Sequence, residues 1–334
     1  MSDVYRIYGS ELSPYSVKVR SYFRYKGLPH EWILRSPATQ GEFQKHAKLP
    51  LVPLVVTPDG EGIQDSTPII ERFEAASPSS LMPDDPTLAF LSALLEEYGD
   101  EWGNKWMFHY RWTYPADCWA TAERIAVQMA GAQGTLAVAQ ARGAVAERMS
   151  GRLGFVGSNP TTRPLIEASF KRALEILDAH LASRPYLLGG RPAMADVGLW
   201  GQLYEAATDP TPGALMRASS PNVMAWVERM MSPRAEGAFE GWESLSAGLM
   251  PLLIEEVGRL FLPWSVANAE SIGKGEKSFS MTLAGSTWSQ EPQKYHARSL
   301  QEIRRKYAAA KGAAGLDDIL TKTGCLAALR GPAA

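Results

Sequence analysis

The sequence predicts a small mixed α/β domain joined through a turn-rich linker to a longer, almost wholly helical region. Three observations predict it. Short β-rich runs alternate with helical ones over the first eighty residues; Ser, Pro and Asp crowd residues 77–86; beyond them apolar residues recur at helical spacing. A length of 334 residues is too great for one small domain and comfortable for two, at about 100–200 residues each.

The elements follow in order. Val4 to Tyr8 is a β-rich run ending at Gly9. Ser13-Pro14 opens a helix with apolar positions at Val17, Val19, Tyr22, Phe23 and Tyr25. Serine caps well, and proline costs nothing at the first helical position, where its missing donor would have no partner. Gly27 stops that helix, and Glu31 to Leu34 is a second strand. After a polar connector, Leu51 to Val56 is a strand entered through Pro53. Asp59-Gly60 signals a hairpin, Ile63 sits in the return strand, and Asp65-Ser66-Thr67-Pro68 opens a helix through Phe73. Parallel strands followed by an antiparallel hairpin describe a small sheet with helices on its faces.

Ser77-Pro78-Ser79-Ser80 and Pro83-Asp84-Asp85-Pro86 form the linker. Helices are expected over about 87–109, 116–149, 161–183, 194–207, 221–231 and 245–263. Phe279, Met281 and Leu283 then alternate on one face, Ala284-Gly285 turns the chain, and Thr287-Trp288 return. A last helix spans about 293–311. The domains expected are 1–78, 87–240 and a C-terminal extension, 241–334.

Composition excludes several classes. The chain is 45% hydrophobic and 21% charged, enough apolar material for a core. Its net charge of −2 leaves no basic excess for a nucleic acid backbone. Cys118 and Cys325 stand alone, in no disulfide or zinc pattern, and the five histidines show no metal spacing. With no signal-peptide core and no apolar run of about 18 residues, a cytoplasmic protein without membrane contact is expected.

Three motifs carry chemistry, and each also has a structural reading. Ser13-Pro14-Tyr15-Ser16 lies at a strand-to-helix junction, where unpaired amides and partial positive charge favour an anion such as a thiolate. A free thiol has a pKa near 8.5, and lowering it by about two units takes about 2.7 kcal/mol. A serine hydroxyl and a helix end together suffice; equally, Ser13 is an ordinary cap. The Val52-Pro53 bond is either a trans bond on an edge strand or a cis bond that leaves the Val52 backbone free for a peptide ligand. Asp65-Ser66 is either a plain cap or a site for an amino acid's ammonium and carboxylate.

Together these motifs resemble the glutathione transferase superfamily in order and type over about residues 4–77. Gly189 to Asp196 resembles the start of that family's buried helix, with Ala193 where the family usually has Ser or Thr. The chain also exceeds an ordinary member by roughly a hundred residues. The resemblance implies a thioredoxin-like domain, then an all-helical transferase C-terminal domain with an extended C-terminus, and a homodimer. It implies glutathione as co-substrate, with the Val52 backbone beside Pro53 on the cysteinyl part, Asp65 and Ser66 on the γ-glutamyl end, and Ser13, Tyr15 or Ser16 donating to the sulfur. The second substrate is then a small hydrophobic electrophile. Trp102, Trp106, His109 and Tyr110, in a dense aromatic run, are the candidate lining of its pocket, with ordinary core packing as the other reading. The expected activity is that of a glutathione transferase. The alternatives are a non-catalytic glutathione-binding or interaction module, a glutathione-dependent peroxidase or reductase, and an etherase or dehalogenase.

Overall fold

The computed structural model describes residues 4–75, 77 and 80–331; Ala76 and, from the expected linker, Pro78 and Ser79 lie outside the described residues. The first part runs β1 (Tyr5–Gly9), α1 (Pro14–Tyr25), β2 (His30–Leu34), α2 (Gln40–His46), β3 (Leu54–Val56), β4 (Gly62–Gln64) and α3 (Ser66–Glu74). The sheet order is β2-β1-β3-β4, with β1 parallel to β2 and the other two pairs antiparallel. Side chains alternate across it. Ile7 and Val55 join Val17 and Ile69 in the main core, while Tyr8, Leu54 and Val56 meet Phe43 of α2 on the opposite face. Here the sequence reading saw only a polar connector. Phe43 is the single buried residue of α2, and one apolar position in seven sets up no period.

Beyond the linker come α4 (Pro86–Tyr98), a π-helical turn at Gly99–Gly103, α5 (Asn104–Thr113), α6 (Pro115–Ala130), α7 (Thr135–Ser150), α8 (Arg163–Leu181), α9 (Met194–Thr208), α10 (Pro210–Ser219) and α11 (Pro221–Arg229). Where one helix is expected over 116–149 there are two, because Gly134 takes φ +94° between them. Helix α10 lies between two expected helices, where none is expected. Helix α9 is the spine of this part. A Cβ at Gly198 would lie 2.8 Å from the Glu96 Cα, and one at Gly201 would lie 2.6 Å from the Pro14 carbonyl oxygen. Only glycine lets α4 and the first turn of α1 close on α9 at these points. Ala193 offers the α9 start no side-chain cap, but Asp196 accepts the N–H groups of Ala193, Leu187 and Trp226 (Nε1), each at 2.9 Å.

The extension holds α12 (Trp242–Leu252), a π-helical stretch at Leu253–Phe261, α13 (Leu262–Gly273), the hairpin β5 (Phe279–Leu283) and β6 (Ser286–Gln290), α14 (Lys294–Ala310), α15 (Leu316–Lys322) and α16 (Leu326–Arg330). Pro251 sits inside α12 and lacks a donor, and the helical run continues to Gly273, ten residues past the expected end. The hairpin is as expected, turning at Ala284 (φ +50°) and Gly285 (φ +81°). Buried Lys105 of α5 fastens the extension to the helical domain. Its ammonium lies 3.6 Å from the Trp264 ring centre and within 5.5 Å of those of Trp102 and Trp288. Burial with no carboxylate partner among the described residues pushes its pKa well down, so these ring contacts and the Val156 carbonyl offset only part of the cost of burying it. Among the described residues, no helix is long and apolar enough to cross a membrane.

Candidate active site

Strand register brings the three motifs together. Tyr8 of β1 pairs with Leu54 of β3, which pairs with Gln64 of β4. The last residues of β1, the first of β3 and the last of β4 therefore share one end of the sheet. From that end the chain leads to Ser13, arrives from Val52-Pro53, and leaves through Asp65-Ser66. The bond from Val52 to Pro53 is cis. Among the described residues, no hydrogen bond engages the Val52 N–H or C=O. Asp65 takes φ +77°, a region non-glycine residues seldom occupy, which marks a strained backbone at this junction. Ser66 is buried behind it.

The three hydroxyls of the tetrapeptide have different fates. Ser13 caps α1, its Oγ accepting the Ser16 amide at 3.3 Å, and among the described residues its own proton has no acceptor. Tyr15 donates to the Asp100 carbonyl at 3.0 Å, and burial, with the Asp100 carboxylate second, raises its pKa well above the ordinary phenol range. Ser16 is fully buried, with its Oγ unpartnered. Among the described residues, Ser13 alone of the three pairs a partly exposed side chain with a hydroxyl proton that has no acceptor. Of the other two expected donors, the Tyr15 phenol is committed to a carbonyl and the Ser16 hydroxyl is buried.

Beneath lies a charged cluster that sequence reading missed. Lys18 is wholly buried; its ammonium meets Glu96, the Asp100 carboxylate at 2.6 Å and the Thr67 hydroxyl at 3.1 Å. Burial works against ionisation of Glu96, yet the Lys18 ammonium outweighs it and holds that carboxyl below its usual range. Asp100 and Glu97 are pushed up, chiefly by burial and then, for Glu97, by the Glu96 charge. The signal was present in Glu96-Glu97 and Asp100-Glu101, acids in an otherwise apolar helix. The extension closes over this cluster: Tyr295 reaches Asp65, His296 contacts Glu101, and Ser299 donates to Glu97.

Arg111 of α5 braces the loop before Ser13. Its guanidinium donates to the Leu12 carbonyl at 3.1 Å, to Glu205 Oε2 at 2.8 Å and to Asp209 Oδ2 at 2.7 Å.

Trp102, Trp106, His109 and Tyr110, expected as a pocket lining or as core, are all buried, none more than 2% exposed. They do share a face, but it turns inward to α8. Both indole N–H groups donate to the Ser169 hydroxyl, at 2.8 and 2.9 Å, and Tyr110 packs on Phe170. His109 is held by Ser158 at 2.8 Å and Glu167 at 3.1 Å, a structural role. The shared spacing identified the face; periodicity does not say whether a face meets substrate or another helix.

Ser169 in turn donates to Glu256 at 2.5 Å, and Tyr98 donates to the same carboxyl at 3.1 Å. Burial pushes Glu256 up to about 8. Its folded pKa therefore exceeds the unfolded value of about 4.3. From about pH 4.5 upward the unfolded chain loses this proton while the folded chain keeps it, so stability falls as pH rises toward 8. Glu256→Gln keeps an acceptor for both hydroxyls and has no proton to lose. It should stabilise the fold by about 2–3 kcal/mol at pH 8 and by almost nothing at pH 4.5. Urea unfolding at the two pH values checks this; an equal shift at both would refute it.

Residues 12–76 match the model of the glutathione S-transferase N-terminal domain, and residues 137–229 match that of its C-terminal domain. Both domain models of that family thus match this chain, in the order N-terminal then C-terminal. One curated relative is the isoprene-epoxide–glutathione S-transferase of Rhodococcus sp. (strain AD45), 26% identical over 228 residues, which cover 66% of this chain and 92% of that protein. Solved structures include a glutathione S-transferase from Rhodospirillum rubrum F11 (17% identity, TM-score 0.45, 72% of this chain and 98% of that one). Another, from Methylobacterium radiotolerans in complex with glutathione sulfonate, is 19% identical at a TM-score of 0.43, over 73% of this chain and 94% of its own. Residues 242–330 lie outside both matched domains.

Proposed function

We propose that this chain is a glutathione transferase in which Ser13 holds the sulfur of bound glutathione as a thiolate, for attack on a small hydrophobic electrophile. The observation that carries the reading is the Ser13 hydroxyl. Its oxygen already accepts the Ser16 amide while its proton is unspent, at the positive end of α1. A hydroxyl polarised in this way is a better donor to a neighbouring anion. The Val52 N–H and C=O are free to pair with the cysteinyl backbone as one more strand would. Asp65 offers its carboxylate to the γ-glutamyl ammonium, and the α3 N-terminus at Ser66 offers its amide to the carboxylate beside it.

The reaction then needs little beyond binding and deprotonation. The thiol proton leaves to solvent, Ser13 donates to the sulfur anion, and the anion forms a carbon–sulfur bond as the leaving group departs or the ring opens. The Rhodococcus relative, named for isoprene epoxide and glutathione, makes a 1,2-epoxide the first electrophile to assay beside an aryl halide. Calorimetric titration with glutathione, followed by conjugation assays with both, tests the reading. Binding together with turnover of either electrophile is expected. Binding without turnover of any electrophile would instead favour a non-catalytic module, and no heat on titration would end the glutathione reading altogether.

A further inference from the structure

Asp65 is an exposed residue whose carboxyl is nonetheless pushed up by partial burial, and among the described residues the only side chain hydrogen-bonded to it comes from the far end of the sequence. The Tyr295 hydroxyl lies 3.3 Å from Oδ1 and 3.4 Å from Oδ2, centred between the two oxygens. A carboxylate has about four lone-pair sites, so a hydroxyl centred on its mouth leaves the outer ones for an ammonium. Tyr295 is itself firmly mounted. Just before α14, Asn268 clamps Gln293 by accepting its N–H at 2.7 Å and donating to its C=O at 3.0 Å. Next to Tyr295, His296 contacts Glu101 and packs edge-on against Trp264, ring centres 4.9 Å apart. Three turns further on, Lys306 pairs with Glu71 of α3 at 2.7 Å, tying α14 to the helix that Asp65 begins.

We propose that Tyr295 is a positioning residue of the glutathione site, turning the Asp65 carboxylate toward the γ-glutamyl ammonium so that the C-terminal extension completes the site. The assignment rests on the glutathione reading above and adds to it a residue outside both matched domains. Tyr295 touches Asp65, not the sulfur, so it acts on binding and not on the chemical step.

The test compares calorimetric binding by the full chain and by Tyr295→Phe, each titrated with glutathione and with glutathione lacking its α-amino group. Tyr295 is half-exposed and its bonds are long, so Tyr295→Phe should weaken glutathione binding by about fivefold, less than the roughly tenfold or more of a short bond to a charged group. The KM for glutathione should rise to match while kcat at saturation stays unchanged. The analogue has no ammonium for Asp65 to receive, so it should bind the two proteins equally. Equal binding of glutathione to both proteins overturns the assignment, as does an equal loss with both ligands, which would mark Tyr295 as merely structural. If the unaltered chain does not bind glutathione, the glutathione reading falls first and the assignment with it.

Discussion

Ser13→Ala should lower kcat/KM for glutathione conjugation by about 100-fold or more while leaving the affinity for glutathione nearly unchanged. The magnitude follows from what is removed. A donor aimed at a developing or stored anion in a partly dry site is worth about 10²–10³ in rate. The affinity should survive because the ammonium, carboxylate and peptide groups of glutathione are held elsewhere, at Asp65, Ser66 and Val52. Losing the cap costs about 1 kcal/mol of stability, small enough for the variant to fold. The thiol of bound glutathione absorbs near 240 nm when ionised, so a titration followed there reads the cause directly. The midpoint should move up toward the free value of about 8.5 in the variant. An unshifted midpoint, or an unchanged rate with either electrophile, would remove Ser13 from the mechanism and leave it a cap.

The contrast between Ser13 and the aromatic run explains how far the sequence could be read. Apart from α2, the strand and helix order of the first eighty residues was legible because each boundary has local chemistry: Ser13-Pro14, Gly27, Asp59-Gly60, Asp65-Ser66-Thr67-Pro68. The convergence of three motifs followed, since hairpin register and parallel pairing leave few alternatives. What resisted reading depends on partners distant in sequence. Trp102, Trp106 and Tyr110 have the spacing of a shared face, but only Ser169 and Phe170, some sixty residues on, show that the face is interior. Lys18 reads as a surface residue until α4 brings Glu96 and Asp100 against it. Tyr295 lies 230 residues from Asp65, beyond any local signal. The missing cap at Ala193 proved immaterial for a similar reason: the acceptor needed there is supplied by Asp196, which also gathers Leu187 and Trp226.

The largest stability loss is expected at Arg111, replaced by methionine. This guanidinium is buried, as are both carboxylates it joins, and Thr121 donates to the second oxygen of Asp209 at 3.0 Å. Breaking one side of a buried ion network costs about 3–5 kcal/mol, because the remaining charges are left without compensation. Burial already pushes Glu205 up to about 7 and raises Asp209, even with Arg111 beside them. Without Arg111 both must rise further. The variant then folds more readily with these carboxyls protonated. Its deficit against the unaltered chain should be greatest near pH 8 and shrink as the pH falls toward 5, where protonation removes the uncompensated charge. Methionine keeps much of the volume, so the loss is electrostatic and not a cavity effect. A second consequence follows from the Leu12 carbonyl, which loses its donor one residue before Ser13. The loop that aims Ser13 would loosen, so kcat should fall in the folded fraction even where stability has been recovered by lower pH. Urea unfolding across pH 5–8, with rates measured under conditions that keep the variant folded, separates the two effects. A deficit that stays constant with pH would show that the carboxylates are not the source of the loss. Unaltered kcat in the folded variant would show that Arg111 braces the helical domain without aiming Ser13.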